Sequence, residues 1–193
     1  MAPRERFLTA LTGGTPDRVP IGDYLLAKTN PMHLTRSDDL IPVLQATLPA
    51  IKAHLLTLVP NAEFHHIGAT ALPGAITKGD VDVLLRVCQS DFTSAVEILR
   101  TQLEVKQAEN WSNDFASFGE DSSYPFPLGV QLVVKDSEND FFLFIHEYLS
   151  SDLMHLAEYN RIKINSASNG PEEYWKAKHI FLSSLLASRS ING

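Results

Sequence analysis

The chain has 193 residues, of which 44% are hydrophobic and 20% are charged, a balance typical of one well-buried globular domain. Its formal net charge is −7 at pH 7. A chain this acidic has no general positive field, so polymeric nucleic acid and anionic membranes are not the expected partners.

Residues 1–36 are predicted to be an N-terminal extension, with a short helix over residues 3–12 and then an irregular segment marked by Pro and Gly. We expect no signal peptide, and no window approaches the roughly 20 apolar residues of a membrane span. The single Cys88 excludes an intrachain disulfide. Together these features predict a protein of the cytoplasm.

Residues 37–193 are predicted to form one domain that begins with a long helix. Ser37 is a suitable N-cap, and Pro49 is expected to kink the helix. Apolar residues recur every three or four positions and predict one buried stripe. The stripe consists of Leu40, Leu44, Leu48, Ile51, Leu55 and Leu58. Residues 63–67 then predict the first strand of the core.

Asp80 and Asp82 are the most informative residues of the chain. Residues 80–87 alternate and then become apolar, which predicts a strand with both carboxylates on one face, roughly 6.5 Å apart. Carboxylate oxygens at that spacing suit one Mg²⁺ ion or a pair of them. The alternative is that the aspartates face solvent or pair with Lys78 or Arg86.

The turn before this strand is suited to phosphate. Gly68 lets backbone N–H groups approach a ligand closely, and residues 69–75 are predicted to open a short helix whose N-terminus attracts anions. The alternative is a tight connection in which Thr70 caps that helix. His65 and His66 are adjacent on a strand, so they point to opposite faces and do not hold one metal ion together.

The second half of the chain predicts the helices and strands that complete the domain. The order of elements predicts an α/β (α+β) fold, in which a small mixed sheet is flanked by helices. The first element is an amphipathic helix containing Phe92, Val96, Leu99 and Leu103, and a strand within 104–111 follows it. Residues 112–127 are predicted to be a long surface loop that could cover a pocket. A strand over 130–134 with Gln131 at its centre comes next, and then helices over 141–157 and 171–187, the first with an aromatic core face.

The run from His66 to Gly74, His-Ile-Gly-Ala-Thr-Ala-Leu-Pro-Gly, resembles the His-Ile-Gly-Ser-Thr-Ala-Val-Pro-Gly signature of the GrpB family. That family is a branch of the nucleotidyltransferase superfamily, in which a Gly-Ser turn precedes, by about a dozen residues, a strand bearing Asp-x-Asp/Glu. The resemblance covers about residues 40–187. Downstream, the order and spacing of GrpB C-terminal helices are matched by Glu147, Tyr148, Leu149, Glu158, Tyr159, Lys163, Tyr174, Ala177, Lys178 and Phe181.

The resemblance implies a nucleotidyltransferase-like fold that binds a nucleoside triphosphate with Mg²⁺. Asp80 and Asp82 would be the catalytic residues and the metal ligands. An active enzyme would move a nucleotidyl group onto a small molecule or a protein. The implied phosphate-binding residues are Gly68, Ala69, Thr70, Lys78 and Lys178, with His66 and Gln131 as further candidates and Lys163 as another lysine that could neutralise phosphate.

The chain also departs from the pattern. Ala69 replaces the serine of the turn, and Gln131 stands on the strand where active members carry a third carboxylate. An amide carries no negative charge and is a poor ligand for Mg²⁺. The alternative function is therefore a non-catalytic nucleotide-binding or protein-interaction module. The candidates for a third carboxylate from elsewhere in the chain are Glu120, Asp121 and Asp136.

Overall fold

A computed structural model describes residues 33–120 and 122–189. The predicted helix over residues 3–12, the irregular segment after it and Asp121 lie outside the described residues.

The core of the fold is a five-stranded mixed sheet. Its strand order is β2-β4-β7-β6-β5, and only the central pair, β4 and β7, is parallel. A separate two-stranded ribbon joins β1 to β3. The strands are β1 (Thr35–Arg36), β2 (Glu63–Ile67), β3 (Ile76–Thr77), β4 (Val81–Val87), β5 (Glu104–Lys106), β6 (Phe115–Glu120) and β7 (Leu128–Val134).

Helices cover both faces of this sheet, which explains why its central strands are almost continuously apolar. One face buries Leu44, Ile51 and Leu55 of the first helix and Leu99 of the second. The other face packs against the last three helices. The helices are α1 (Ile41–Leu58), α2 (Gln89–Arg100), α3 (Phe142–Ser151), α4 (Leu153–Ala167) and α5 (Pro171–Arg189).

The predicted fold class is confirmed, with a corrected start for the first helix. Ser37 is not its N-cap, because the Ser37 hydroxyl donates instead to the carbonyl oxygen of Leu72 at 2.7 Å. A 3₁₀ turn over Ser37–Leu40 precedes α1, which has Pro42 in its first turn. The predicted stripe of apolar residues does face the core.

The predicted surface loop over 112–127 is wrong, because β6 occupies its centre. Phe115, Ala116 and Phe118 are fully buried, and β6 pairs with β7 along its whole length. Small residues interrupt the apolar pattern of this strand, and a strand covered on both faces does not alternate. The predicted strand within 104–111 is shorter than expected, since Gln107 adopts a left-handed conformation and starts a turn.

The single helix predicted over 141–157 is two helices. Asp152 has an extended backbone, and its carboxylate accepts a hydrogen bond from the amide of Met154 at 2.8 Å. Asp152 therefore ends α3 and caps α4, the role in which an aspartate is most favourable. The aromatic run at the start of α3 packs against the core as predicted, with Phe141 and Phe142 buried.

By length and composition alone, the segment Ser37–Leu58 is long and apolar enough to cross a membrane. This finding corrects the expectation that the chain has no such window. Only 17% of the segment's apolar window is buried, yet the buried residues Leu44, Ile51 and Leu55 belong to the core cluster on the sheet. Helices of soluble cores pass the same test of length and composition.

Arg86 forms ion pairs that connect one end of the sheet to the segment that follows β7. Its guanidinium donates to both carboxylate oxygens of Asp140, with Nε at 2.9 and 3.1 Å, and to Glu63 at 2.6 Å. The Asp140 side chain is only 5% exposed, so it depends on this partner for charge compensation. The sequence-based alternative that Arg86 pairs with the motif aspartates is wrong.

We expect Arg86→Ala to lower the free energy of unfolding by about 2–4 kcal/mol, because it leaves a buried carboxylate unpaired. The matched control is Lys176→Ala, which removes an exposed pair with Glu173 and should change stability by less than about 0.5 kcal/mol. Urea unfolding measures both variants. Equal losses in the two variants would contradict this account of Arg86.

Candidate functional site

A cavity of about 310 Å³ lies between the sheet and helices α3, α4 and α5. The turn after β2, the start of β4 and the middle of β7 form its sheet side, and side chains of the three helices form the opposite side. The cavity therefore gathers residues that are more than 100 positions apart in the chain. Asp80, Asp82, Gly68, Ala69, Lys78, Lys178 and Gln131, all predicted as site residues, line it.

The two aspartates meet in this cavity but differ in their surroundings. Asp80 precedes β4 and forms an ion pair with Lys78, whose Nζ lies 2.9 Å from Oδ2. The alternative that Lys78 neutralises an aspartate thus holds for Asp80. Asp82 lies within β4, and burial, followed by the nearby negative charge of Asp80, raises its pKa to about 7.

The turn after β2 has the conformation that glycine favours. Gly68 has a φ of 74°, and the three residues Ala69–Ala71 form a 3₁₀ turn. The short helix predicted over 69–75 is therefore reduced to this single 3₁₀ turn. Within the described part of the chain, the amides of Ala69 and Thr70 donate to no acceptor, so these two N–H groups remain available at the turn.

Four lysines line the cavity, namely Lys78, Lys106, Lys163 and Lys178. Aromatic rings lie close to Lys78, Lys163 and Lys178. Lys78 and Lys178 lie 4.5 and 4.9 Å from the centroid of the Trp175 ring, and Lys163 lies 4.1 Å from that of Tyr159. Cations over aromatic faces are stabilised by the ring quadrupole. Lys163 is fully buried and is therefore not a solvated surface lysine.

Lys163 and Asn160 connect α4 to the segment between the turn and the aspartates. The Lys163 ammonium donates to the carbonyl oxygen of Ile76, while Asn160 accepts from the Ile76 amide at 2.8 Å and donates to the Gly74 carbonyl at 2.9 Å. Burial, and then the positive charge of Lys178, lowers the pKa of Lys163 to about 7.

The structure does not bring His66 and Thr70 to this cavity. They lie in a second groove, between α1 and the other side of the turn. His66 Nε2 and Thr70 Oγ1 are 3.0 Å apart, and burial lowers the pKa of His66 to about 4. Thr70 also does not cap a helix with its side chain, so the predicted alternative role is wrong as well.

No third carboxylate joins Asp80 and Asp82 among residues 33–120 and 122–189. No group of three or more His, Cys, Asp or Glu side chains in these ranges could hold a metal ion. Glu120 binds the amides of Ser122 and Ser123, and Asp136 is 97% exposed near Arg86. Gln131 is thus the polar side chain of β7 that lines the cavity.

Several lining residues escaped the sequence analysis as site residues. Tyr159, Tyr174 and Trp175 surround the lysines, and His146 lines the cavity with a buried Nδ1 that has no partner among the described residues. Burial raises the pKa of Tyr174 to about 12. Aromatic residues on amphipathic helices are read as core residues, so their role depends on how the three helices pack.

Comparison with known proteins decides the family. A family model described as GrpB protein matches residues 39–188. The chain belongs to the GrpB family. The predicted resemblance is therefore confirmed at the family level.

Individual proteins also resemble this chain over about two thirds or more of its length. A UPF0157 protein of Vibrio cholerae serotype O1 is 29% identical over 132 residues, which are 68% of this chain and 70% of the relative. The crystal structure of a conserved GrpB protein from Enterococcus faecalis covers 81% of this chain and 99% of its own, with 16% identity and a TM-score of 0.56. The Cid1 poly(U) polymerase is matched over 68% of this chain and 40% of its own, with 17% identity and a TM-score of 0.44.

The raised pKa of Asp82 predicts how its removal changes stability with pH. The folded protein binds the Asp82 proton more tightly than the unfolded chain, so this residue's contribution to stability falls as pH rises from about 4 to about 7. Asp82→Asn should therefore raise the free energy of unfolding by on the order of 1 kcal/mol above pH 7, with no gain near pH 4.

Urea unfolding of the ligand-free protein across this pH range measures the effect. Glu138→Gln, which removes an exposed carboxylate beyond β7, is the control and should change stability by less than about 0.5 kcal/mol. A variant Asp82→Asn that is less stable than the native protein at pH 8 would contradict the prediction.

Proposed function

We propose that this GrpB protein binds a nucleoside triphosphate together with Mg²⁺ in the cavity, and that it does so in the cytoplasm. The observation that carries the proposal is that two aspartates and four lysines line one cavity beside the Gly68 turn. Metal ligands and cationic groups are both required to hold a polyphosphate and its metal ion. The single, exposed Cys88 forms no intrachain disulfide, which fits a reducing compartment.

The donor set fits Mg²⁺ in the form in which it accompanies a nucleotide. This ion is usually held by one or two carboxylates plus substrate phosphates and water, rather than by a complete protein cage. Asp80 and Asp82 supply two carboxylates, and the phosphate oxygens of the nucleotide and water molecules would supply the remaining ligands of the ion. A bound ion would polarise the phosphate oxygens attached to it.

The phosphates would have further partners in the cavity. Lys163 and Lys178 come from two different helices, and the amide of Ala69, which donates to no acceptor among the described residues, comes from the turn on the sheet side. Ammonium groups and oriented N–H groups bind phosphate oxygens through charge-assisted hydrogen bonds. Phosphate would also compensate the repulsion between the buried Lys163 and the partly exposed Lys178.

Binding without transfer is better supported than nucleotidyl transfer. Gln131 is neutral, and the third carboxylate that would complete a transferase site does not occur among the described residues. Transfer to a small-molecule or protein acceptor is the second candidate, because both Asp80 and Asp82 are present and both line the cavity.

Thermal unfolding with each of the four ribonucleoside triphosphates, with and without Mg²⁺, tests the proposal. We expect at least one nucleotide to raise Tm in the presence of the metal, because a ligand at about 100 times its Kd adds about 2.7 kcal/mol of stability. The variant Asp80→Asn/Asp82→Asn should lose the metal-dependent part of this shift.

The control variant Asp136→Asn/Glu138→Gln removes the same number of charges outside the cavity and should keep the full shift. No shift with any nucleotide in the native protein would overturn the proposal. Release of pyrophosphate from the nucleotide that binds, in the native protein and not in the double Asp variant, would favour transfer over binding alone.

A further inference from the structure

The carboxylate of Asp82 lies between two residues that have no side chain. On the sheet, Asp82 pairs with Ile67 of β2, directly before Gly68, and with Gly129 of β7. A Cβ atom added at Gly68 would lie 2.8 Å from Oδ2 of Asp82, and one added at Gly129 would lie 2.5 Å from Oδ1. Both separations are shorter than real Cβ contacts, so each oxygen occupies space that a neighbouring side chain would fill.

The two glycines are required for different reasons. Gly68 has a positive φ, so any side chain there is strained whatever the space around it. Gly129 has no positive φ and lies inside a regular strand, where glycine is normally unfavourable and alanine is accepted. The obstacle to a side chain at position 129 is therefore the Asp82 carboxylate and not the backbone.

The side chain of Gln131 borders the same space. A Cβ atom at Gly129 would lie 3.7 Å from Nε2 of Gln131, so it would stand beside both the carboxylate and the amide. Glycine at this position leaves open the gap between the negative group of β4 and the polar group of β7. The Asp82 carboxylate and the Gln131 amide can then contact one ligand in the cavity.

We propose that Gly129 is a positioning residue, whose missing side chain sets the direction in which the Asp82 carboxylate points into the cavity and keeps it beside Gln131. One part of this proposal rests on the proposed function, namely that the ligand of Asp82 is a divalent cation accompanying a nucleotide. A methyl group at position 129 pushes Oδ1 away, because a carboxylate at the end of a short side chain yields more easily than the surrounding strands.

The test is Gly129→Ala, studied first without any ligand by ¹³C NMR of the aspartate carboxyl groups at one fixed pH. The Asp82 signal is identified by its loss in Asp82→Asn. We expect Gly129→Ala to move this signal while the signals of remote aspartates such as Asp39 and Asp152 stay unchanged and the denaturation midpoint is the same or higher. An unmoved Asp82 signal would overturn the proposal, whatever the protein binds.

Binding of Mn²⁺ with the nucleotide then separates this proposal from the proposed function. We expect Gly129→Ala to weaken binding of Mn²⁺ at least tenfold, and to have no further effect in the Asp82→Ala background. If the native protein binds no Mn²⁺, the proposed function fails, while a moved Asp82 signal still supports the positioning role.

Folding of the variants is itself informative. If Gly129→Ala fails to fold but Asp82→Ala/Gly129→Ala folds, the conflict is with the carboxylate, as proposed. If neither folds, position 129 requires glycine for its backbone or its packing, and the positioning role is overturned.

Discussion

The burial of negative charge on an apolar strand is the constraint on which the arrangement of the site depends. Asp82 lies in β4 between fully buried apolar neighbours, and a carboxylate in such a place must be protonated, paired or bound to a cation. Asp80 satisfies this requirement with Lys78. Asp82 instead has a raised pKa and two glycines beside it, so its charge is left for a ligand to compensate.

The helices on the same face of the sheet place lysines opposite this negative charge. Burying a charged lysine costs free energy, as burying a carboxylate does. Lys163 is fully buried, and no carboxylate of residues 33–120 or 122–189 lies at hydrogen-bond distance from it. Its ammonium donates to a backbone carbonyl and lies over an aromatic ring. Through Asn160 and Lys163, α4 also fixes the segment that joins the turn to the aspartates. The lysines of the helices and the aspartates of the sheet are thus held in one framework, as the residues of preorganised sites are.

Sequence predicts those parts of this protein that depend on local pattern. The strand that carries Asp82 and directly follows Asp80, the turn at Gly68 and the amphipathic helices follow from periodicity and turn chemistry. The strand β6 was not predicted, because small residues interrupt its apolar pattern. It forms a strand because it pairs with β7 along its whole length. Other features depend on how distant elements pack. His66 faces the other side of the sheet, and the ring of Trp175 lies close to two lysines. The space requirement at Gly129 likewise arises from a neighbour 47 positions away.

The most direct test of the central claim is anomalous diffraction from crystals of the protein grown with Mn²⁺ and a non-hydrolysable analogue of the nucleotide that stabilises it most. The account predicts one Mn²⁺ peak roughly 2.1 Å from oxygens of both Asp80 and Asp82. It also predicts phosphate oxygens that contact the same ion and the ammonium group of Lys163 or Lys178. A triphosphate bound in the cavity without metal at the aspartates, or a metal bound elsewhere, would contradict it.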